Sequence, residues 1–370
     1  MGKSEMDYTN EVPHPQAEGM IVRAAQPFNA EPPVASLVQF NCTQKSLFTV
    51  GIIVQFNKNL ELKLSELREE FKYFEVVAAL QCAGNRRNEM GEIKPVKGVT
   101  WDKGVIANCK WGGIRLRDVL LRAGVDEKLE NAHVWFASHV SVCQDDSYYG
   151  SSIPLGKAMD PEGDVLLAFD MNSQLLSPDH GYPIRLVVPG YTGARWVKWL
   201  DRITIAQGES PNFYQQRDYR ILPPSCANTE QAATLWDKYP SITALPVHSI
   251  IAYIDPVITD TSKRLRLKGY AMGNGGKNLQ IASVQVAIEK QDRKQENWVN
   301  ARITYQEGKW SWTIWECEMD VDEEMRMATK QELRLLCRAK DESGNEQERE
   351  CAWNMRGVAF CSYGKVVWRW

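Results

Sequence analysis

The residues most able to do chemistry lie in Gln81-Cys82-Ala83-Gly84-Asn85-Arg86-Arg87. The apolar run Val76 to Leu80 reads as a strand, so Cys82 leaves a strand end into a glycine-bearing loop, where a sulfur can be exposed. Two arginines follow, and their positive charge is expected to favour the thiolate. A thiolate is a soft ligand, suited to polarizable metals. The nine cysteines are odd in number and include no C-x-x-C pair, and no second cysteine or histidine sits at ligand spacing from Cys82. That pattern argues against both a disulfide framework and a zinc ribbon, and most of the thiols are expected to be reduced and buried. A single protein ligand implies that a cofactor brings the rest. The plain alternative is that Cys82 is a buried core thiol, which is where most cysteines are found.

The elements that must position this loop change character once, near residue 240. Before it, Leu64, Leu67 and Phe71 repeat at helical spacing behind Ser65 as a cap, and Leu116, Val119 and Leu120 do so before Gly124. Val76 to Leu80 and Ile184 to Val188 are short apolar runs that read as buried strands, which makes this half mixed α and β. After residue 240, Leu265 and Leu267 alternate with Arg264, Arg266 and Lys268. Val284, Val286 and Ile288 keep the same period of two, as do Leu333, Leu335 and Cys337. Turn clusters at Asn274-Gly275-Gly276 and Ser343-Gly344-Asn345 separate these runs, a pattern expected of an immunoglobulin-like β-sandwich. The expected architecture is α+β, with a mixed domain over 1–240 and a sandwich over 241–370, joined by the polar, proline-marked stretch Pro223 to Pro246. The tryptophans Trp310, Trp312 and Trp315 are expected to fill the sandwich core, with a dimer face as the alternative.

At 370 residues with 44% hydrophobic and 25% charged side chains, the chain has ordinary globular composition and is long enough for two domains. A net charge of −3 gives no broad basic field, which speaks against nucleic acid or an anionic membrane as partner, so a small anionic substrate must be captured locally. No apolar run reaches bilayer length, and the N-terminus with Lys3, Glu5 and Asp7 lacks the hydrophobic stretch of a secretory signal. The chain therefore reads as soluble and intracellular. Trp368-Arg369-Trp370 is not the peroxisomal tripeptide, and cytoplasm, mitochondrion and peroxisome are not distinguished further.

The loop Gln81 to Arg87 resembles the signature of the sulfite oxidase and eukaryotic nitrate reductase family, whose cysteine binds molybdenum held by a pterin dithiolene. The similarity continues through Val96-Lys97-Gly98, Trp101, Trp111-Gly112-Gly113, Asp179-His180-Gly181, Gly193-Ala194-Arg195 and Val197-Lys198-Trp199-Leu200. It extends to Arg217-Asp218-Tyr219, Lys268-Gly269-Tyr270-Ala271 and Trp353-Asn354-Met355-Arg356-Gly357-Val358. Those segments run in order over nearly the whole chain. The resemblance implies a molybdopterin-binding domain followed by an immunoglobulin-like dimerisation domain, hence a homodimer, in agreement with the change of texture near residue 240.

The same resemblance assigns roles. Cys82 is the metal ligand, and His180, Arg185, Trp196, Val197 and Lys198 match the family's pterin contacts. In isolation His180 reads as a solvated turn histidine, and Arg195 and Lys198 as surface charges. Arg87 and Arg356 match the cations of an anion pocket, with Trp101 as its indole wall and Tyr219 as a phenol at the metal. Taken alone, Trp101 and Tyr219 serve as well in a core or an interface. Nitrate reductases of this family typically carry an apolar residue where this chain has Arg356, and they are fused to haem and flavin domains not found here. Sulfite is the expected substrate and nitrate the runner-up. The expected reaction is oxygen-atom transfer, with electrons passed to an external acceptor such as oxygen or a cytochrome. One departure bears on activity: Leu47-Phe48-Thr49-Val50 runs straight into Gly51-Ile52-Ile53-Val54, where the family places an Arg-Asn-His segment. Losing that third cation would leave a catalytically impaired cofactor-binding dimer, so two readings stand from the sequence.

Overall fold

The structure, a computed structural model, describes residues 19–24, 29–35, 52–56, 58–140, 142–258, 263–289, 296–321 and 332–369. The Val50-Gly51 junction lies outside the described residues. No helix among them is long and apolar enough to cross a membrane.

Two five-stranded sheets form the first half. One orders Gln174–Leu175, Leu166–Met171, Ile106–Arg115 and Tyr73–Gln81, with Arg185–Val187 also paired to Leu166–Met171. The other orders Lys58–Leu62, Ile52–Phe56, Arg202–Gln207, Ala132–Ser138 and Tyr149–Pro154. Apolar residues from both, among them Ala78, Trp111 and Leu186 from the first and Phe136, Ile153 and Ile203 from the second, meet in one core. The helices are short: Leu64–Glu70 and Leu116–Arg122 each lay a leucine face on this core. Lys63, not Ser65, precedes the first of them. Its backbone N–H donates to the Glu66 carboxylate at 2.6 Å, so an acid three residues on reaches back to the start of the helix, and Ser65 lies inside the helix rather than at its cap.

Two four-stranded antiparallel sheets form the sandwich. One orders His248–Ile258, Lys263–Met272, Thr313–Asp320 and Arg302–Gln306; the other orders Val299–Asn300, Ile281–Ile288, Glu332–Asp341 and Gly364–Arg369. The alternating residues Leu265, Leu267, Val284, Val286, Leu333, Leu335 and Cys337 all point into the space between them and are buried. Of the eight described cysteines, four, Cys226, Cys317, Cys337 and Cys361, are buried.

The tryptophan run corrects the sequence reading. Only Trp315 enters the sandwich core. Trp310 packs into the core of the first half, where its indole donates to Asp164 at 2.8 Å and its carbonyl accepts from the Ala79 backbone at 2.9 Å. Trp312 packs against that same core and stacks on Tyr270 with ring centroids 6.0 Å apart. Between Thr313–Asp320 and the preceding strand the chain leaves the sandwich, so alternation within a strand no longer governs where these indoles go. The two halves consequently share a core, to which Ile250, Tyr270, Met272, Leu279 and Ile314 also contribute.

Candidate active site

Cys82 follows directly on the strand Tyr73–Gln81, and its backbone N–H donates to the Val105 carbonyl at 3.0 Å. The next residues turn sharply, with the Asn85 amide returning to the Cys82 carbonyl at 3.0 Å and the Gly84 N–H reaching the sulfur at 3.4 Å. Gly84 leaves room for Arg87, whose guanidinium would collide with a β-carbon there. Asn85 pins the turn from both ends of its amide, accepting from the Val105 N–H at 3.2 Å and donating to the Tyr270 hydroxyl at 2.8 Å.

The two arginines part company. Arg86 has φ +66 and points away from the sulfur, fully buried against the Phe360 ring. It donates to both oxygens of Glu89 at 2.8 Å and to the carbonyls of Ser362 and Tyr363 at 2.6 and 3.0 Å. It is a brace between loop and sandwich. Only Arg87 acts on Cys82, and burial of the sulfur outweighs it: the thiol is pushed up, against the downward pull of Arg87 and the Gly84 amide. The expectation that both arginines favour the thiolate is therefore corrected, because one of the two charges is spent on Glu89.

Arg356 arrives from the other half of the chain. The segment between Glu332–Asp341 and Gly364–Arg369 loops back to the first half, where the Lys97 N–H donates to Met355 at 2.7 Å and the Ala359 N–H to Ala83 at 2.7 Å. Trp353 donates through its indole to the Lys94 carbonyl at 2.8 Å. Asn354 closes the loop on itself through Val358, in both directions, at 2.9 and 3.1 Å. Arg87 then donates to the Arg356 and Gly357 carbonyls at 2.9 and 3.2 Å and to Val99 at 2.7 Å. Gly357 has φ +58, and any side chain on it would run into Arg87. Arg356 pairs with Asp218 at 2.9 Å, and both line a cavity of about 270 Å³. Trp101 is buried beside this ensemble, its carbonyl accepting from Asn88 at 3.0 Å.

Tyr219 ends the π-helical turn Tyr214–Asp218. Burial pushes its phenol well up, with Cys82 and Asp218 adding to the rise and Arg87 and Arg356 opposing it. It is a neutral hydroxyl surrounded by the other members of the site. Arg195, fully buried rather than a surface charge, lies 5.8 Å from the Tyr219 ring and donates to the Ile242 carbonyl at 2.8 Å, to Ser151 at 3.1 Å and to Gln215. Tyr149 donates to the Ala194 carbonyl at 2.8 Å, and burial raises its pKa, with Tyr219 and Cys82 adding to the rise and Arg195 opposing it. Sequence reading gave Tyr149 and Asp218 no role. Asp218 does adjoin Tyr219 in the chain, whereas nothing local marks Tyr149.

The remaining sequence-picked residues form a second group. Arg185 donates to the His180 carbonyl at 2.9 Å and to the Trp196 carbonyl at 3.4 Å, and it lies over the Trp111 ring at 4.8 Å. Lys198 donates to the Asp179 carbonyl at 2.8 Å, and Val197 accepts from the Leu186 N–H at 2.8 Å. His180 Nδ1 lies 2.6 Å from the Ser177 hydroxyl. Burial lowers the pKa of all three basic groups, Arg185 to about 10, Lys198 to about 8 and His180 below its ordinary value, and Arg185 presses further on the other two. Arg185 Nε has no partner. The loop after Gly190 connects the two groups, since Thr192 donates to Gln81 at 3.2 Å while Trp196 and Val197 meet the strand of Arg185.

Residues 38–214 match the oxidoreductase molybdopterin binding domain, and residues 239–369 match the Mo-co oxidoreductase dimerisation domain. Sulfite oxidase of Gallus gallus is 37% identical over 93% of this chain and 76% of its own length. This chain belongs to the sulfite oxidase and eukaryotic nitrate reductase family of molybdopterin oxidoreductases. Sulfite oxidase of Arabidopsis thaliana is 35% identical over 98% of this chain and 96% of its own length. The chain spans 64% of the length of the mitochondrial sulfite oxidase of Rattus norvegicus. A solved structure, the sulfane dehydrogenase SoxCD from Paracoccus pantotrophus, has the same fold, with a TM-score of 0.71, 23% identity, and coverage of 100% of this chain and 92% of that one.

The family's cofactor is molybdenum held by molybdopterin, and the donor set fits it. Among the described residues no three of His, Cys, Asp and Glu gather to hold a metal, so a metal at the half-buried Cys82 must bring its other ligands with it. An anionic pterin phosphate calls for cations and hydrogen-bond donors, which Arg185, with its unpartnered Nε, and Lys198 provide, with the imidazole of His180 beside them.

Proposed function

We propose that the protein oxidises sulfite to sulfate, with Cys82 as the metal ligand and Arg87, Arg356, Trp101 and Tyr219 as the substrate site. The observation that carries this reading is Arg356 on the wall of a cation-lined cavity, on a loop whose carbonyls hold Arg87, which in turn faces Cys82. Sulfite plus water gives sulfate, two protons and two electrons. When bound, the molybdenum cofactor supplies the oxygen-transfer and two-electron chemistry. This chain's residues bind, orient and neutralise. The buried Arg87 and the half-buried Arg356 offset the desolvation of a dianion. Tyr219 stays protonated and donates from its hydroxyl toward negative charge at the centre.

His180, Arg185, Trp196, Val197 and Lys198 are read as the pterin contacts, and the two domains as 1–240 and 241–370, with the second forming the homodimer. The electron acceptor is read as external, oxygen or a separate cytochrome, and the enzyme as soluble and intracellular. Loaded enzyme assayed with ferricyanide or cytochrome c as acceptor is expected to turn over sulfite, and to reduce nitrate far more slowly. A nitrate turnover exceeding that for sulfite would reverse the substrate assignment, and protein that holds molybdenum yet acts on neither would mark an inactive dimer.

A further inference from the structure

A small cavity lies where the two halves of the chain touch. Gly190 of the first half and Gly275 of the second approach so closely that a β-carbon on either would strike the carbonyl oxygen of the other. Both glycines line a cavity of about 10 Å³, room for one water and nothing larger. Leu245, Met272 and Leu279 give it an apolar wall. Gln81 and His248 line it as well, and each keeps one buried polar atom without a partner in the chain, Gln81 Oε1 and His248 Nε2. The two residues are 4% and 1% exposed, so bulk solvent does not serve these atoms, and buried polar atoms are seldom left unpaired. The other hydrogen-bonding side chains on the wall are engaged. The Thr192 hydroxyl donates to the Gln81 carbonyl at 3.2 Å, and the Tyr191 hydroxyl is hydrogen-bonded to Thr243.

The chemistry of the two atoms decides what fits between them. Burial keeps the His248 imidazole neutral at pH 7, and the Pro246 carbonyl, 3.2 Å from Nδ1, can only accept, so Nδ1 carries the ring's single proton. Nε2 therefore presents a lone pair, and Gln81 Oε1 presents another. An occupant must donate twice, which an anion does not do, and the positive charge of Arg86, which already presses on His248, opposes a cation. We propose that one buried water occupies this cavity, donating one hydrogen to Gln81 Oε1 and the other to His248 Nε2, and so ties the residue before Cys82 to the sandwich. Gln81 ends the strand Tyr73–Gln81, and His248 begins the strand His248–Ile258. The strand end that delivers Cys82 is then held twice, by Thr192 at its backbone and by the second half at its side chain. None of this depends on which substrate the enzyme takes.

Crystallography of the cofactor-loaded wild type, at a resolution that shows ordered waters, tests the site directly. One peak is expected about 2.7–3.2 Å from both Gln81 Oε1 and His248 Nε2. A dry cavity, a water bonded to only one of the two atoms, or a peak with the short contacts of a metal ion would each overturn the proposal. Urea unfolding of Gln81→Met, His248→Phe and the double variant tests the link between the halves. Because both residues share one water, removing the second partner is expected to cost less than removing it from the wild type, with the unfolding equilibrium constant departing from additivity about fivefold, the worth of one net hydrogen bond. Additive effects would overturn the bridge even with a water in place. Should His248→Phe fail to fold, the wild-type crystal alone decides.

Discussion

The Arg356 guanidinium meets the Asp218 carboxylate at 2.9 Å, and each side chain keeps about a fifth of its surface open, 22% and 20%. The pair joins the loop after the sandwich strand Glu332–Asp341 to the turn before Tyr219, on the wall of a cavity. Asp218 is the resident counter-ion of Arg356 and repels any incoming anion. Asp218→Asn is expected to lower the inhibition constant of sulfate about fivefold or more, since a like charge at about 4 Å opposes binding by about 1 kcal/mol even with the screening of bulk water. Arg356→Gln is expected to raise the sulfite KM about thirtyfold or more, since it removes a cation from a desolvated anion site. Steady-state kinetics with sulfate as inhibitor check both, and an Asp218→Asn enzyme with weaker sulfate binding would show that the carboxylate serves only to orient Arg356.

Replacing Cys82 by serine puts a harder, far more basic oxygen where the proposed site has a soft sulfur as its protein donor. Turnover is expected to vanish while part of the pterin is retained. Elemental analysis beside a sulfite assay decides it, and a Cys82→Ser enzyme with full molybdenum and full activity would remove the cysteine from the site.

Arg86 is fully buried, so Arg86→Met strands Glu89 and two carbonyls, and a loss of about 3–5 kcal/mol is expected in urea unfolding. The same pair sets an acid limit. Burial alone would raise the Glu89 carboxyl, but Arg86 holds it below its ordinary 4.5. A depressed carboxyl contributes its full stability above the unfolded value, and that contribution is lost as pH falls through the folded one. Stability is therefore expected to drop below pH 4.5, and Glu89→Gln to flatten that part of the profile.

His248 gives a second, separate window. Burial pushes its imidazole from 6.5 down to about 4, and its Nε2 has no hydrogen-bond partner. The unfolded chain binds a proton there that the folded chain refuses, so stability is whole above 6.5 and declines as pH falls toward 4, by roughly 3 kcal/mol in all. Urea midpoints at pH 7 and pH 5 are expected to differ in the wild type and to converge in His248→Gln. An unchanged difference in the variant would assign the window to other groups.

Trp310 carries sandwich chain into the core of the first half and is 2% exposed. Trp310→Ala is expected to cost about 3–5 kcal/mol. Because the core is shared, calorimetry is expected to show both halves melting in one transition; two resolved wild-type transitions would mean the interface is weaker than its burial implies.

The sequence by itself determined the local parts of this protein. Period-two alternation marked Leu265, Leu267, Val284, Val286, Leu333 and Leu335 as inward-facing, and all six are buried, because side-chain direction along a strand is fixed by the backbone. The order of motifs marked the family as one of molybdopterin oxidoreductases. What only the tertiary structure decided is which side chains meet. Arg86 and Arg87 are adjacent and chemically alike, yet one braces the sandwich and the other faces the sulfur. Arg356 reaches Arg87 across a separation of 269 residues, and Trp310 leaves the core its neighbour Trp315 fills. Those outcomes depend on which loop crosses from one half to the other and on which carboxylate claims each cation first. Neither is encoded in the spacing of residues along a single element.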